Sequence, residues 1–157
     1  MTKSDDTAER RGAAPSSGKV PATRQRSFRM AAETLDRLDM LARERGESTN
    51  GLAERLVEEG LRLERHPLIS FREGAAGRRP AIAGSRIDVW QAVEALRDND
   101  DSFAEAGDYL GLTEVKVRAA FRYYAEFQDE VDEWAESVRE VARREEEAFR
   151  REQALLA

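Results

Sequence analysis

Cysteine is absent from the 157 residues, so no disulfide framework, thiolate metal site or thiol nucleophile is available. The only histidine is His66, which excludes His-paired metal sites and most histidine-based acid-base catalysis within one chain. No apolar run approaches the ~20 residues that span a bilayer, and the N-terminus lacks the apolar stretch of a signal peptide. The cytoplasm is the expected location, and no cofactor or metal is expected. With 40% hydrophobic and 37% charged residues, the chain has room for one ordinary domain or two small ones, each with a modest core.

A net charge of −6 argues superficially against nucleic acid, so its distribution matters more than its sum. Residues 1–31 carry seven Lys/Arg against three Asp/Glu, whereas residues 99–157 carry eight against sixteen. The chain is therefore electrically polar. The basic end suits DNA, and the acidic end suits another protein.

Residues 1–23 hold Ala-Ala-Pro-Ser-Ser-Gly and scattered charge without apolar periodicity, which predicts a disordered basic arm. Residues 24–30 alternate, with Phe28 and Met30 on one face and Gln25, Ser27 and Arg29 on the other, as in a short strand. Leu35, Leu38 and Leu41 recur at helical spacing from Glu33 to Arg45, and Gly46 ends that helix. Ser48 then offers an N-cap to a second helix that carries Leu52, Ala53, Leu56, Val57 and Leu61 to about Glu64, where His66-Pro67 breaks it.

Residues 66–87, with Gly74, Gly77, Pro80 and Gly84, read as a turn-rich linker with one or two short strands. Residues 88–128 read as three helices: one burying Val89, Trp90, Val93 and Leu96, one capped by Ser102, and one capped by Thr113 that runs through Val117, Ala120 and Tyr124. Across 129–157, Val131, Trp134, Val138 and Val141 step by three and four along an acidic amphipathic helix. The expected fold class is thus mainly α, with a single strand per chain at the N-terminus, a small helix-turn-helix-like domain and a long C-terminal helix.

A lone strand of this length leaves its backbone groups unpaired, and a unit of about 40 residues is near the size at which oligomerisation is needed for stability. Strand, helix, glycine turn and helix over residues 24–65 resemble the ribbon-helix-helix family (CopG/Arc-like), in which two chains interlock and their strands form an antiparallel ribbon. The resemblance implies a homodimer that inserts Gln25, Ser27 and Arg29 into the major groove. Gln pairs bidentately with adenine, Arg with guanine, and Ser with several base edges. Ser48, Thr49 and Asn50, at the start of the second helix, would meet a phosphate through short polar side chains and backbone amides. Arg26 departs from the family pattern, which often has an apolar residue there.

Residues 102–124 also read as helix-turn-helix, with Gly107 and Gly111 at workable spacings. Lys116, Arg118 and Arg122 project from its last helix toward a possible second DNA contact, although Glu105, Asp108 and Glu114 lie nearby; a plain three-helix packing unit is the equal alternative. Phe71-Arg72-Glu73-Gly74, Gly77-Arg78-Arg79-Pro80, Ile82-Ala83-Gly84-Ser85-Arg86-Ile87-Asp88-Val89-Trp90, and then Leu112-Thr113, Ala119-Ala120 and Tyr123-Tyr124, resemble a bacterial family long catalogued as a domain of unknown function. Its members are commonly assigned to VapB-like antitoxins paired with PIN-like ribonuclease toxins. Within that core, Gly84 permits a tight turn and Arg86 pairs with a carboxylate such as Asp88.

The resemblances together imply an antitoxin of a type II toxin-antitoxin pair that binds operator DNA, represses its own operon and neutralises a PIN-like toxin. Trp134, Val138, Val141, Arg143, Arg144 and Phe149 are the candidate toxin contacts, set against the alternative that Val131 and Trp134 pack on their own domain. The acids of a metal-dependent nuclease would attract one of Arg139, Arg143, Arg144, Arg150 or Arg151. Two other functions compete: a stand-alone ribbon-helix-helix repressor without a toxin, and, more remotely, a metal-dependent enzyme using Asp129, Glu130, Asp132, Glu133 and Glu136. The enzyme reading lacks a base, a nucleophile and a phosphate loop.

Overall fold

The helical spacings of the sequence reappear, within a residue or two, in a computed structural model that describes residues 26–74 and 77–156. The basic arm expected over 1–23, and Gln25, lie outside the described residues. The first helix, α1, runs Ala32–Arg45. Gly46 closes it in the left-handed region at φ 67°, so that its N–H donates to the Arg43 carbonyl and the Glu47 N–H to the Ala42 carbonyl. α2 (Thr49–Arg65) starts at Ser48, whose Oγ accepts from the Gly51 N–H at 3.1 Å. Ala42 and Leu52 are the fully buried apolar side chains of this helical pair.

Past the His66-Pro67 break, β1 (Ile69–Gly74) and β2 (Gly77–Ile82) form an antiparallel hairpin that registers Ile69 with Ile82, Arg72 with Arg79 and Gly74 with Gly77. The segment expected as a linker contributes to the core, because Ile69 and Ile82 bury against the helices that follow. Those helices are α3 (Val89–Asp98), α4 (Phe103–Leu110), α5 (Glu114–Glu126) and α6 (Gln128–Leu156). Ser102 caps α4 through its hydroxyl, as expected. Thr113 takes the cap position of α5 but its hydroxyl makes no cap bond; its carbonyl instead accepts from the Lys116 and Val117 amides.

One apolar cluster joins the hairpin to Val89 and Val93 of α3, Ala120 and Tyr123 of α5, and Val131 of α6. A second gathers Leu96, Ala106 and Val117 where α3, α4 and α5 meet. Gly107 permits that meeting, since a Cβ there would lie 2.9 Å from the Leu112 carbonyl oxygen. The fold is mainly helical, with six helices and one small antiparallel sheet among the described residues. Among them, no helix is long and apolar enough to cross a membrane.

Candidate nucleic-acid and partner interfaces

Arg26 to Met30 hold no strand in the single chain. The physical reason is the one that made the lone strand suspect: a strand exists as a hydrogen-bonded ladder, and among the described residues no second strand lies beside this segment. Ser27 and Arg29 are exposed, and Phe28 and Met30 are exposed as well, at 73% and 44%. Met30 lies at the mouth of an apolar groove walled by Leu38 and Leu41 of α1 and by Ala53, Leu56 and Val57 of α2. At the start of α2, the Ser48 hydroxyl is engaged in capping and the Thr49 hydroxyl donates to Asp39 Oδ1 at 2.8 Å. Asn50 is exposed.

The three basic residues of α5 are not equivalent. Lys116 Nζ donates to the Ala83 carbonyl at 3.1 Å, tying α5 to the turn after β2. Arg118 pairs with Glu114 at 2.6 Å and lies 4.1 Å from the centroid of the Phe103 ring. Arg122 is exposed and lines a shallow cleft beside His66. Two of the three are thus engaged within the chain.

Along α6, Val131 and Ala135 are buried, and the Trp134 ring packs over Gly77, 3.5 Å from where a Cβ would stand. Val138 and Val141 are half-buried beside the hairpin and the start of α3. Arg139 bonds Glu94 of α3 and also Glu136. These contacts hold the helix on its own domain through about Val141. Beyond it, Arg143 and Arg144 share Glu140, which keeps that carboxyl below its ordinary range, while Phe149, Leu155 and Leu156 are exposed at 59%, 87% and 83%. Of the candidate toxin contacts, the structure therefore places Trp134 in the domain and Phe149 in solvent.

Two arrangements went unread in the sequence. The first is a joint between the halves of the chain. Arg62 of α2 donates to both Glu130 oxygens, at 2.8 and 2.7 Å, to the Tyr123 hydroxyl at 2.9 Å and to Glu58 at 2.9 Å, with the Phe127 ring centroid 4.2 Å away. Burial by itself lowers the guanidinium pKa, but the bonds to Glu130, Glu58 and Tyr123 outweigh it and hold Arg62 firmly charged. Beside it, Glu59 of α2 takes Arg78 of β2 through both oxygens, at 2.5 and 2.7 Å.

The second is a basic cleft at the hairpin. Asp88, expected as a partner of Arg86, is instead held by Arg72 at 2.7 Å and Arg79 at 2.5 Å. Arg86 offers its carbonyl to Arg72 Nη2 and its side chain to solvent. The cross-strand register decides this: it sets both arginines opposite each other at the N-terminus of α3, with Asp88 between them.

Several acids of α6 that an enzyme would need are spoken for: Glu130 by Arg62, Asp132 by the Tyr124 hydroxyl and Glu136 by Arg139. Among the described residues no group of three His, Cys, Asp or Glu is placed to hold a metal ion.

No curated protein and no solved structure matches the chain. Residues 69–124, from the first strand into the last turn of α5, match the model of a family described as a protein of unknown function (DUF433).

Proposed function

We propose that the chain is the antitoxin of a type II toxin-antitoxin pair, a homodimer that represses its own operon through a ribbon-helix-helix unit and neutralises a PIN-like ribonuclease. The observation that carries the DNA-binding half is the groove between α1 and α2. Leu38, Leu41, Leu56 and Val57 line an apolar trough open to solvent, and Met30, the last residue of the basic segment, lines it with them. A contiguous apolar surface of this kind marks an interaction site. A second copy of the same unit would cover it and would supply the antiparallel strand that residues 26–30 lack. Ser27 and Arg29 would then face base edges, joined by Gln25.

The partner half rests on α6. Its first part is committed to the domain, so the toxin contact falls on the later part, where Phe149, Leu155 and Leu156 stand exposed on a charged helix that leaves the rest of the chain. Arg143 and Arg144 lie at the start of that part. Lys116, Arg118 and Arg122 are secondary DNA contacts at most, with Arg122 the exposed one that, among the described residues, makes no ion pair.

Co-expression with the product of the neighbouring gene tests the reading in one preparation. The expected outcome is a stable complex that shifts DNA from its own promoter and releases ribonuclease activity when the antitoxin is removed. Arg29→Ala should weaken the gel shift while the dimer persists. Truncation after Ala142 should abolish neutralisation and spare DNA binding. A truncated chain that still neutralises, or an Arg29→Ala protein with unchanged affinity for every DNA tested, removes the corresponding half of the proposal.

A further inference from the structure

Arg72 and Arg79 stand directly opposite each other across the hairpin, and like charges in that position destabilise a sheet unless an anion lies between them. Asp88 is such an anion, nearly buried, with one oxygen to each guanidinium. The site is closely built, since a Cβ at Gly74 would overlap the Arg79 guanidinium. A third arginine, Arg86, lines the same cleft, and among the described residues its side chain has no acidic partner. Three arginines against one aspartate leave two positive charges in excess. Facing them across a space of about 230 Å³ are Trp90, Gln91 and the apolar side chains of Val138 and Val141. The Trp90 indole Nε1 is buried without an acceptor.

We infer that this cleft binds a phosphomonoester: a terminal phosphate carried on a small organic group. Charge decides between the candidate anions. A terminal phosphate carries about −1.5 to −2 near neutral pH and cancels the excess, whereas a carboxylate cancels half of it. Its three acceptor oxygens also suit forked guanidinium donors. Trp90, Val138 and Val141 give the organic body an apolar wall. An internal backbone phosphate fits less well, because a phosphodiester carries a single negative charge and cancels only half of the excess. The phosphate is therefore an end group, from a free mononucleotide or from the 5′ end of a strand.

The test is a calorimetric titration of the full chain at constant ionic strength. Adenosine 5′-monophosphate and inorganic phosphate should bind saturably, one per chain, with adenosine and glutamate at least about tenfold weaker. Arg86→Gln should weaken the monophosphate by about tenfold or more without moving the thermal melt, because the Arg86 side chain is exposed and, among the described residues, makes no hydrogen bond or ion pair. A short oligonucleotide with and without a 5′ phosphate separates the sources: preference for the phosphorylated strand, with or without binding of the free nucleotide, supports the site and assigns the strand end to it. Equal binding of glutamate and phosphate overturns the phosphomonoester assignment. So does monophosphate affinity unchanged in Arg86→Gln, or no binding by any of the phosphorylated probes.

Discussion

Replacing Arg62 by alanine should cost about 3 kcal/mol, and the structure indicates how that figure arises. Losing one member of a buried ion pair costs roughly 3–5 kcal/mol, because the remaining charge is stranded. Here the arginine side chain is 16% exposed, but its partners Glu130 and Glu58 are 39% and 55% exposed and rehydrate when it is removed. The Glu58 pair, one helical turn away, contributes only about 0.3–0.5 kcal/mol. The two-oxygen contact with Glu130 is a charge-assisted hydrogen bond of about 1.5–2 kcal/mol. Loss of the donor to the buried Tyr123 hydroxyl adds about 1 kcal/mol more. For a chain of this size the sum lowers Tm by roughly 6–12 °C. Thermal melts followed by circular dichroism measure it directly. A double-mutant cycle with Glu130→Gln should show coupling of about 1 kcal/mol or more. A shift under about 1 °C, or no coupling, would refute the view that this pair joins α2 to α6.

Burial pushes the Tyr123 hydroxyl from 10.0 up to about 12. Its protonated form is therefore favoured in the folded chain, and stability present below pH 10 is lost as pH rises toward about 12, by up to about 3 kcal/mol. Tyr123→Phe should flatten that alkaline loss, and with only three tyrosines in the chain, tyrosinate absorbance during the titration reports it. Leu56→Asp lies on an exposed site of the single chain, where a surface change is usually worth within about 0.5 kcal/mol. Light scattering should nonetheless show a monomer, with the gel shift lost; a dimer that still shifts DNA would oppose the second-copy reading of the groove. Gly107→Ala sets a methyl 2.9 Å from the Leu112 carbonyl oxygen, a backbone atom that yields little. Chemical denaturation should register about 1–3 kcal/mol of lost stability.

The helices were legible because their signals are local. Leu35, Leu38 and Leu41 mark one turn after another of α1, Gly46 stops it and Ser48 opens α2, and each signal acts within four residues. The cap at Thr113 failed only in its chemistry: the position was right, and the hydroxyl was not used. What stayed hidden depends on pairing across distance. No periodicity could reveal that Arg72 faces Arg79, because that follows from the hairpin register, and with it Asp88 goes to those two residues and not to the nearer Arg86. Arg62 and Glu130 lie 68 positions apart, and two charged residues on two amphipathic helices read as solvated faces until the helices are docked. The strand at 26–30 is a different case. Its alternation was visible, but a ladder needs a partner strand, and the described residues place none beside it.

α2 connects these observations, because its two sides do different things. At 100° per residue, Glu58, Arg62, Arg55 and Glu59 fall on one arc, and two of them bond across: Glu59 to the hairpin, and Arg62 to α5 and α6. Leu56, Gly60, Val57 and Leu61 fall on the next arc and face solvent, the first and third of them in the groove with Leu38 and Leu41. A helix clamped by ion pairs along one side cannot rotate to bury the other without breaking them. The apolar arc is thus held outward by the Arg62 and Arg78 bonds, and a surface held outward is covered most simply by a copy of itself. On the second-copy reading of the groove, weakening the clamp should loosen the association as well as the fold. An Arg62→Ala chain should dissociate at a higher protein concentration than the native chain, and if the groove seats a second copy, that change in dissociation constant should track the fall in Tm.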